Sequence, residues 1–150
     1  MSGCPLAFAA RRGVKVTLLL QGRYEYFMPY HASRAVYAAL LNAGIEIIEY
    51  EASFLHAKVA VMDAEHGDIA TVGSSNLDPL SLLLAREANI FVRDDAFAAE
   101  LRAHLLQAIT EQGRRVDPEE YRSRAIVPRA LTWVAYALMR VALFLTRRRY

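Results

Sequence analysis

Two side chains that could act on a phosphate lie two positions apart in the sequence, His56 and Lys58. They fall in the predicted strand Leu55 to Met62, and successive side chains of an extended strand alternate between its two faces. The imidazole and the ammonium are therefore expected on one face, about 6.5 to 7 Å apart along the backbone at a rise of roughly 3.3 Å per residue. In this arrangement a nucleophile and a cation can share one phosphate.

Asp63 closes the same predicted strand, at an odd spacing from both His56 and Lys58. An odd spacing places the side chain of Asp63 on the opposite face of the strand, so it cannot contact the same phosphate as His56 and Lys58 directly. We expect Asp63 to hold the turn or nearby backbone donors, in support of the two basic side chains.

A short polar run follows the next predicted strand, Ile69 to Val72. Gly73 allows the backbone to approach a ligand closely, and Ser74 and Asn76 can offer hydrogen-bond donors. Together with the imidazole, these residues predict a cradle for the oxygens of a phosphate.

The elements that must position these residues alternate between strands and helices, which predicts an α/β fold, a mixed β-sheet layered with helices. A helix ending near Arg12 is closed by Gly13. The predicted strands are Val14 to Leu20, Ile45 to Tyr50, Leu55 to Met62, Ile69 to Val72 and Ala88 to Val92, and the further helices are His31 to Leu41 and Asp94 to Glu111.

The amino-acid composition excludes few classes of protein. The chain has 150 residues, of which 55% are hydrophobic, enough for a folded core. A formal charge of +2 does not by itself argue for nucleic acid. The single cysteine cannot form an internal disulfide, no Cys/His cluster has metal-ligand spacing, and we expect neither a metal nor a cofactor.

The order His56-Ala-Lys58, Asp63, then Gly73-Ser74-Ser75-Asn76 resembles the HKD motif of the phospholipase D superfamily. The continuation Leu77-Asp78-Pro79-Leu80-Ser81, with Arg86-Glu87-Ala88-Asn89 after it, resembles the C-terminal half of bacterial cardiolipin synthases. The loop between Asp63 and Gly73 is longer than is usual in that family, and we expect the site to be intact because insertions at a hairpin tip are tolerated.

The resemblance implies metal-independent transfer of a phosphatidyl group through a phosphohistidine intermediate. His56 is then either the nucleophile or the general acid, and Lys58, Ser74 and Asn76 bind the nonbridging oxygens. Glu87 matches an acidic position that orients a catalytic imidazole in some relatives, with a surface or capping role as the alternative.

The family builds one active site from two such motifs, and this sequence contains one. The second half is expected in a longer chain of which this is part, or in a homodimer. The leading hypothesis is a phosphatidyltransferase that acts on phosphatidylglycerol. The alternatives are a homodimeric phospholipase D-like nuclease or phosphodiesterase, and an inactive half that only binds membrane or a partner.

Three regions are predicted: a phospholipase D-like domain over 1–116 that lacks some N-terminal elements, a polar linker over 117–129, and an apolar, basic C-terminal helix over 130–150. Residues 130–146 would span about 26 Å as a helix, less than the roughly 30 Å of a bilayer core. Arg140 also disfavours spanning. We therefore expect an interfacial anchor on an anionic membrane surface, peripheral to the bacterial inner membrane, and the alternative is packing on the other half of the enzyme.

Overall fold

The computed structural model describes residues 4–23, 31, 34–63, 67–74, 87–123, 134, 137, 138 and 141. The chain divides into two compact units, one formed by Met1–Ser53 with Gly113–Tyr150 and the other by Phe54–Gln112. We refer to them as the outer-segment unit and the central unit. In chain order the elements are α1 (Pro5–Arg11), β1 (Thr17–Gln21), α2 (Tyr37–Asn42), β2 (Glu46–Tyr50), β3 (Val59–Met62), β4 (Ile69–Gly73), β5 (Asn89–Arg93), α3 (Asp95–Gln112), β6 (Gly113–Arg115) and α4 (Pro118–Ser123).

The outer-segment unit contains a three-stranded sheet in the order β1-β2-β6. β1 runs parallel to β2, and β6 runs antiparallel to it on the other side. Three consecutive residues of the central strand are buried, Ile47, Ile48 and Glu49, so β2 is covered on both faces. The core of this unit is formed by Tyr37, Ile45, Ile47 and Val116. The predicted mixture of strands and helices is confirmed.

A buried carboxylate lies in the middle of this sheet. The side chain of Glu49 is 1% exposed and accepts a hydrogen bond of 2.5 Å from the guanidinium of Arg34, which is 6% exposed. The other oxygen of Glu49 pairs with Arg114 of β6, and Arg114 also binds Glu51 at 2.8 Å. Burial and the neighbouring charge of Glu49 raise the pKa of Tyr37 well above its usual range. Two arginines therefore compensate a carboxylate that burial alone would disfavour.

Residues 118–123, which belong to the predicted polar linker over 117–129, form helix α4. The side chain of Asp117 accepts hydrogen bonds from the N–H groups of Glu119 and Glu120, at 2.7 and 2.9 Å, and so caps the start of the helix. Tyr121 then donates a hydrogen bond of 2.5 Å to the backbone carbonyl of Arg34. The polar residues of 117–123 are therefore cap and surface positions of a docked helix.

The central unit contains an antiparallel sheet in the order β3-β4-β5. Helix α3 packs mainly on β4, and Ala70 of β4 and Ala98 of α3 are both fully buried. The helix starts where the sequence predicts, because the carboxylate of Asp94 accepts a hydrogen bond of 2.8 Å from the N–H of Phe97. β3 is shorter than predicted, so His56 and Lys58 precede it.

The predicted C-terminal helix over 130–150 lies almost wholly outside the described residues. In the described portion of the chain, no helix combines the length and the apolar character that crossing a membrane requires.

Removing the buried carboxylate tests the network around Glu49. We expect Glu49→Ala to lower the free energy of unfolding by about 3 to 5 kcal/mol, because it leaves the buried guanidinium of Arg34 uncompensated. Glu51→Ala is the matched control, since it also removes a partner of Arg114 but from a half-exposed position. Its expected cost is below about 1 kcal/mol. Urea unfolding measures both, and equal losses would contradict the assignment.

Candidate active site

His56 and Lys58 contact each other directly. The Nζ atom of Lys58 lies 2.8 Å from the Nε2 atom of His56, with the imidazole exposed and the lysine half-buried. A lysine ammonium has only donors, so Nε2 is the acceptor and a neutral imidazole carries its proton on Nδ1. The structure thus brings together the two residues that the spacing predicts on one face, with a lone pair of the ring directed at the cation.

The backbone of this pair is anchored by the neighbouring strand. The N–H of Gly73 donates a hydrogen bond of 3.0 Å to the carbonyl of Lys58. This bond continues the β3–β4 ladder one residue beyond the strand, since Val59 pairs with Val72. The position of Lys58 is therefore set by the end of β4.

A second set of bonds joins the end of β4 to the start of β5. The backbone N–H of Ser74 donates to the carbonyl of Ala88 at 3.0 Å, and the N–H of Ala88 donates to the hydroxyl of Ser74 at 3.2 Å. Glu87 immediately precedes Ala88. Residues 56–58, 73–74 and 87–89 consequently meet at one end of the sheet of the central unit.

Gly73 is required where β4 meets β5. It pairs with Asn89, and a Cβ atom at Gly73 would lie 1.7 Å from Oδ1 of Asn89 and 2.5 Å from the carbonyl oxygen of Ala88. Asn89 was absent from the predicted site residues. Its signal in the sequence was the run Glu87-Ala88-Asn89, but only strand pairing shows that this side chain lies over a glycine.

Asp63 lies at the opposite end of β3, about 16 Å along the strand from Lys58 at the usual rise per residue. Its exposed carboxylate pairs with Arg102 of α3, and Arg102 also binds Asp68 at 2.8 Å. The backbone N–H of Asp68 donates to the carboxylate of Asp95 at 2.8 Å. The structure therefore separates Asp63 from the His56–Lys58 pair and ties it to the helix behind the hairpin.

One predicted position, Asn76, and the expectation of no metal need separate comment. Asn76 lies outside the described residues, so its predicted contact with phosphate stays a prediction. Among the residues that are described, no group of three or more His, Cys, Asp or Glu side chains is arranged to hold a metal ion.

Comparison with known proteins identifies the family of the chain. The family described as "Cardiolipin synthase, PLD-like domain" matches residues 5–109. The chain belongs to this family, a part of the phospholipase D superfamily, as the sequence resemblance predicts.

Individual relatives are also described as cardiolipin synthases. Cardiolipin synthase B of Salmonella typhi is 41% identical over 83% of this chain and 28% of its own length, and that of Escherichia coli (strain K12) is 44% identical over 73% and 26%. The probable cardiolipin synthase YwiE of Bacillus subtilis (strain 168) is 33% identical over 83% of this chain and 24% of its own length. The chain thus spans about a quarter of the length of these relatives. No solved structure matches it significantly.

A methyl group at Gly73 tests the junction of the three segments. We expect Gly73→Ala to lower the free energy of unfolding by about 1 to 3 kcal/mol, because the added carbon must displace β5. Adding Asn89→Ala removes the overlap between the new methyl group and the side chain of Asn89, but the close contact with the backbone carbonyl of Ala88 stays. The double variant should therefore recover only part of the lost stability. Urea unfolding of both variants measures this. Unchanged stability of Gly73→Ala would contradict the close approach.

Proposed function

We propose that this chain supplies one half of a phosphatidyltransferase active site of the cardiolipin synthase type. The observation that carries the proposal is the 2.8 Å contact between Nζ of Lys58 and Nε2 of His56. A nonbridging phosphate oxygen that replaces Nε2 as the acceptor of the ammonium would bring its phosphorus close to the imidazole nitrogen and free the lone pair of that nitrogen for reaction. Binding of the anion and reaction at phosphorus can then occur at the same place.

The proposed reaction converts two phosphatidylglycerol molecules into cardiolipin and glycerol. One imidazole attacks the phosphorus of the first lipid and forms a P–N bond, while the glycerol oxygen leaves with a proton from a second imidazole. The primary hydroxyl of the second lipid then attacks the phosphohistidine, the P–N bond breaks, and the hydroxyl proton returns to the second imidazole. His56 takes one of these two roles, and a trapped phosphohistidine on His56 would assign it as the nucleophile.

The remaining predicted residues have supporting roles in this proposal. The hydroxyl oxygen of Ser74 accepts from the N–H of Ala88 at 3.2 Å, and the hydroxyl donates a long hydrogen bond of 3.5 Å to the carbonyl of Ala88. A bound phosphate oxygen would replace that carbonyl as the acceptor of the hydroxyl, and Asn76 would donate to another phosphate oxygen. Glu87, which precedes Ala88 at the same end of the sheet, would orient an imidazole. Asp63 would act from a distance, by holding the β3–β4 hairpin to α3 through Arg102.

The proposed site needs a second His-Lys motif, because two imidazoles take part and this chain supplies one such motif. The second half would come from a longer chain or from another copy of this one. Its lipid substrate would place the assembly at an anionic membrane surface, peripheral to the bacterial inner membrane.

An assay with phosphatidylglycerol tests this function. The chain is assayed alone at rising concentration, which detects a homodimer, and as a chimera in which it replaces the matched segment of the Salmonella typhi relative. We expect cardiolipin and glycerol in equal amounts from one of these forms. His56→Ala should lower the rate at least about a hundredfold, and Lys58→Met about a hundredfold to a thousandfold, through loss of acid–base or nucleophilic chemistry and of charge stabilisation.

The matched control is His104→Ala, which removes an exposed histidine from α3 and should leave the rate unchanged. Cleavage of DNA or of a phosphodiester dye with the lipid untouched would overturn the proposal in favour of a nuclease. Activity that survives His56→Ala in full would indicate an inactive half.

A further inference from the structure

The outer surface of α1 and the turn after it combines exposed apolar and basic side chains. We define this N-terminal patch by five exposed residues: Phe8, Arg11, Arg12, Val14 and Lys15. Phe8 is 62% exposed and Val14 is 51% exposed. Large apolar side chains at such exposure, next to cations, are the composition of a surface that meets both headgroups and hydrocarbon.

Helix geometry places these residues on one side. Leu6 and Ala10 pack against the core of the outer-segment unit. At about 100° per residue, Phe8 points almost directly away from that side, with Arg11 and Arg12 flanking it. The guanidinium of Arg12 lies over the ring of Phe8, 4.9 Å from its centroid. The phenylalanine is therefore at the centre of the outer face, bordered by cations.

The positive charge of the patch is not compensated locally. The first 24 residues contain no Asp or Glu. Glu46, whose strand pairs with the start of β1, is occupied by the hydroxyl of Thr17 at 3.0 Å and by Arg115 at 3.1 Å. Within the described parts of the chain, the cations of the patch form no ion pair with a carboxylate.

We propose that the N-terminal patch docks on the surface of an anionic lipid bilayer, with Phe8 and Val14 in the interface and Arg11, Arg12 and Lys15 at the headgroups. Nucleic acid would use the cations but leave the central phenylalanine in water. An acidic lipid surface satisfies both kinds of side chain, since each cation near anionic headgroups and each buried apolar group adds to the affinity. The inference goes beyond the proposed reaction and does not depend on catalysis.

Vesicle binding of the full chain tests the patch. Binding to phosphatidylglycerol-containing vesicles is measured by sedimentation for the native chain and for Phe8→Ser/Arg12→Glu. We expect the double variant to bind at least about tenfold more weakly, with the difference shrinking at high salt. The matched control is Phe91→Ser/Arg93→Glu, which makes the same two changes at exposed positions of β5 and should alter binding by less than about twofold.

A local readout separates the patch from any contribution of the C-terminal segment. Phe8→Trp is made together with Trp133→Phe, which removes the only native tryptophan. We expect the fluorescence of the indole at position 8 to shift to shorter wavelength on phosphatidylglycerol vesicles and to be quenched by brominated lipid. If Phe8→Ser/Arg12→Glu does not fold, the fluorescence of this tryptophan variant still shows whether position 8 enters the bilayer interface.

Three results would overturn the proposal. The first is an indole at position 8 that stays in water on bound vesicles. The second is equal loss of binding in the patch variant and its control. The third is a patch variant that binds vesicles normally but dissociates an oligomer in sedimentation velocity, which would identify the patch as a protein interface.

Discussion

The close approach of β4 to β5 at Gly73 is the constraint on which the site depends. A side chain at this position would overlap Asn89 and the carbonyl of Ala88. Because the position is a glycine, its N–H can bond the carbonyl of Lys58 while the next residue bonds Ala88 on the other side. One residue without a side chain thus aligns three segments of the chain, and the His56–Lys58 pair takes its place from that alignment.

The outer-segment unit depends on a different constraint, the compensation of one buried carboxylate. Glu49 lies in a strand covered on both faces and is paired by Arg34 from the segment before α2 and by Arg114 from β6. These partners are distant in sequence, so the network joins the two parts of the chain that flank the central unit. The β2–β6 register sets Arg114 opposite Glu49, so the ion pair and the strand pairing support each other.

Much of the architecture could be predicted from local patterns. Runs rich in apolar and β-branched residues predicted five of the strands, and Asp94 predicted the start of α3, because residue pattern and capping are properties of neighbouring residues. Helix α4 was missed although Asp117 and Pro118 are a cap and a first-turn proline, since its polar composition was interpreted as a linker. Whether such a helix docks depends on Tyr121 meeting Arg34, a contact between segments far apart in sequence.

For the candidate site, the sequence by itself determined which chemical groups are present: an imidazole and an ammonium two residues apart, followed by a glycine and polar donors, in a pattern typical of the family. Only the tertiary structure decided how these groups are held. It placed Lys58 on Nε2 of His56, Asn89 over Gly73, and Asp63 with Arg102 at the far end of the hairpin. The physical reason is that residue type and spacing are local properties of the chain, whereas the partner of a side chain is decided by strand pairing and helix packing.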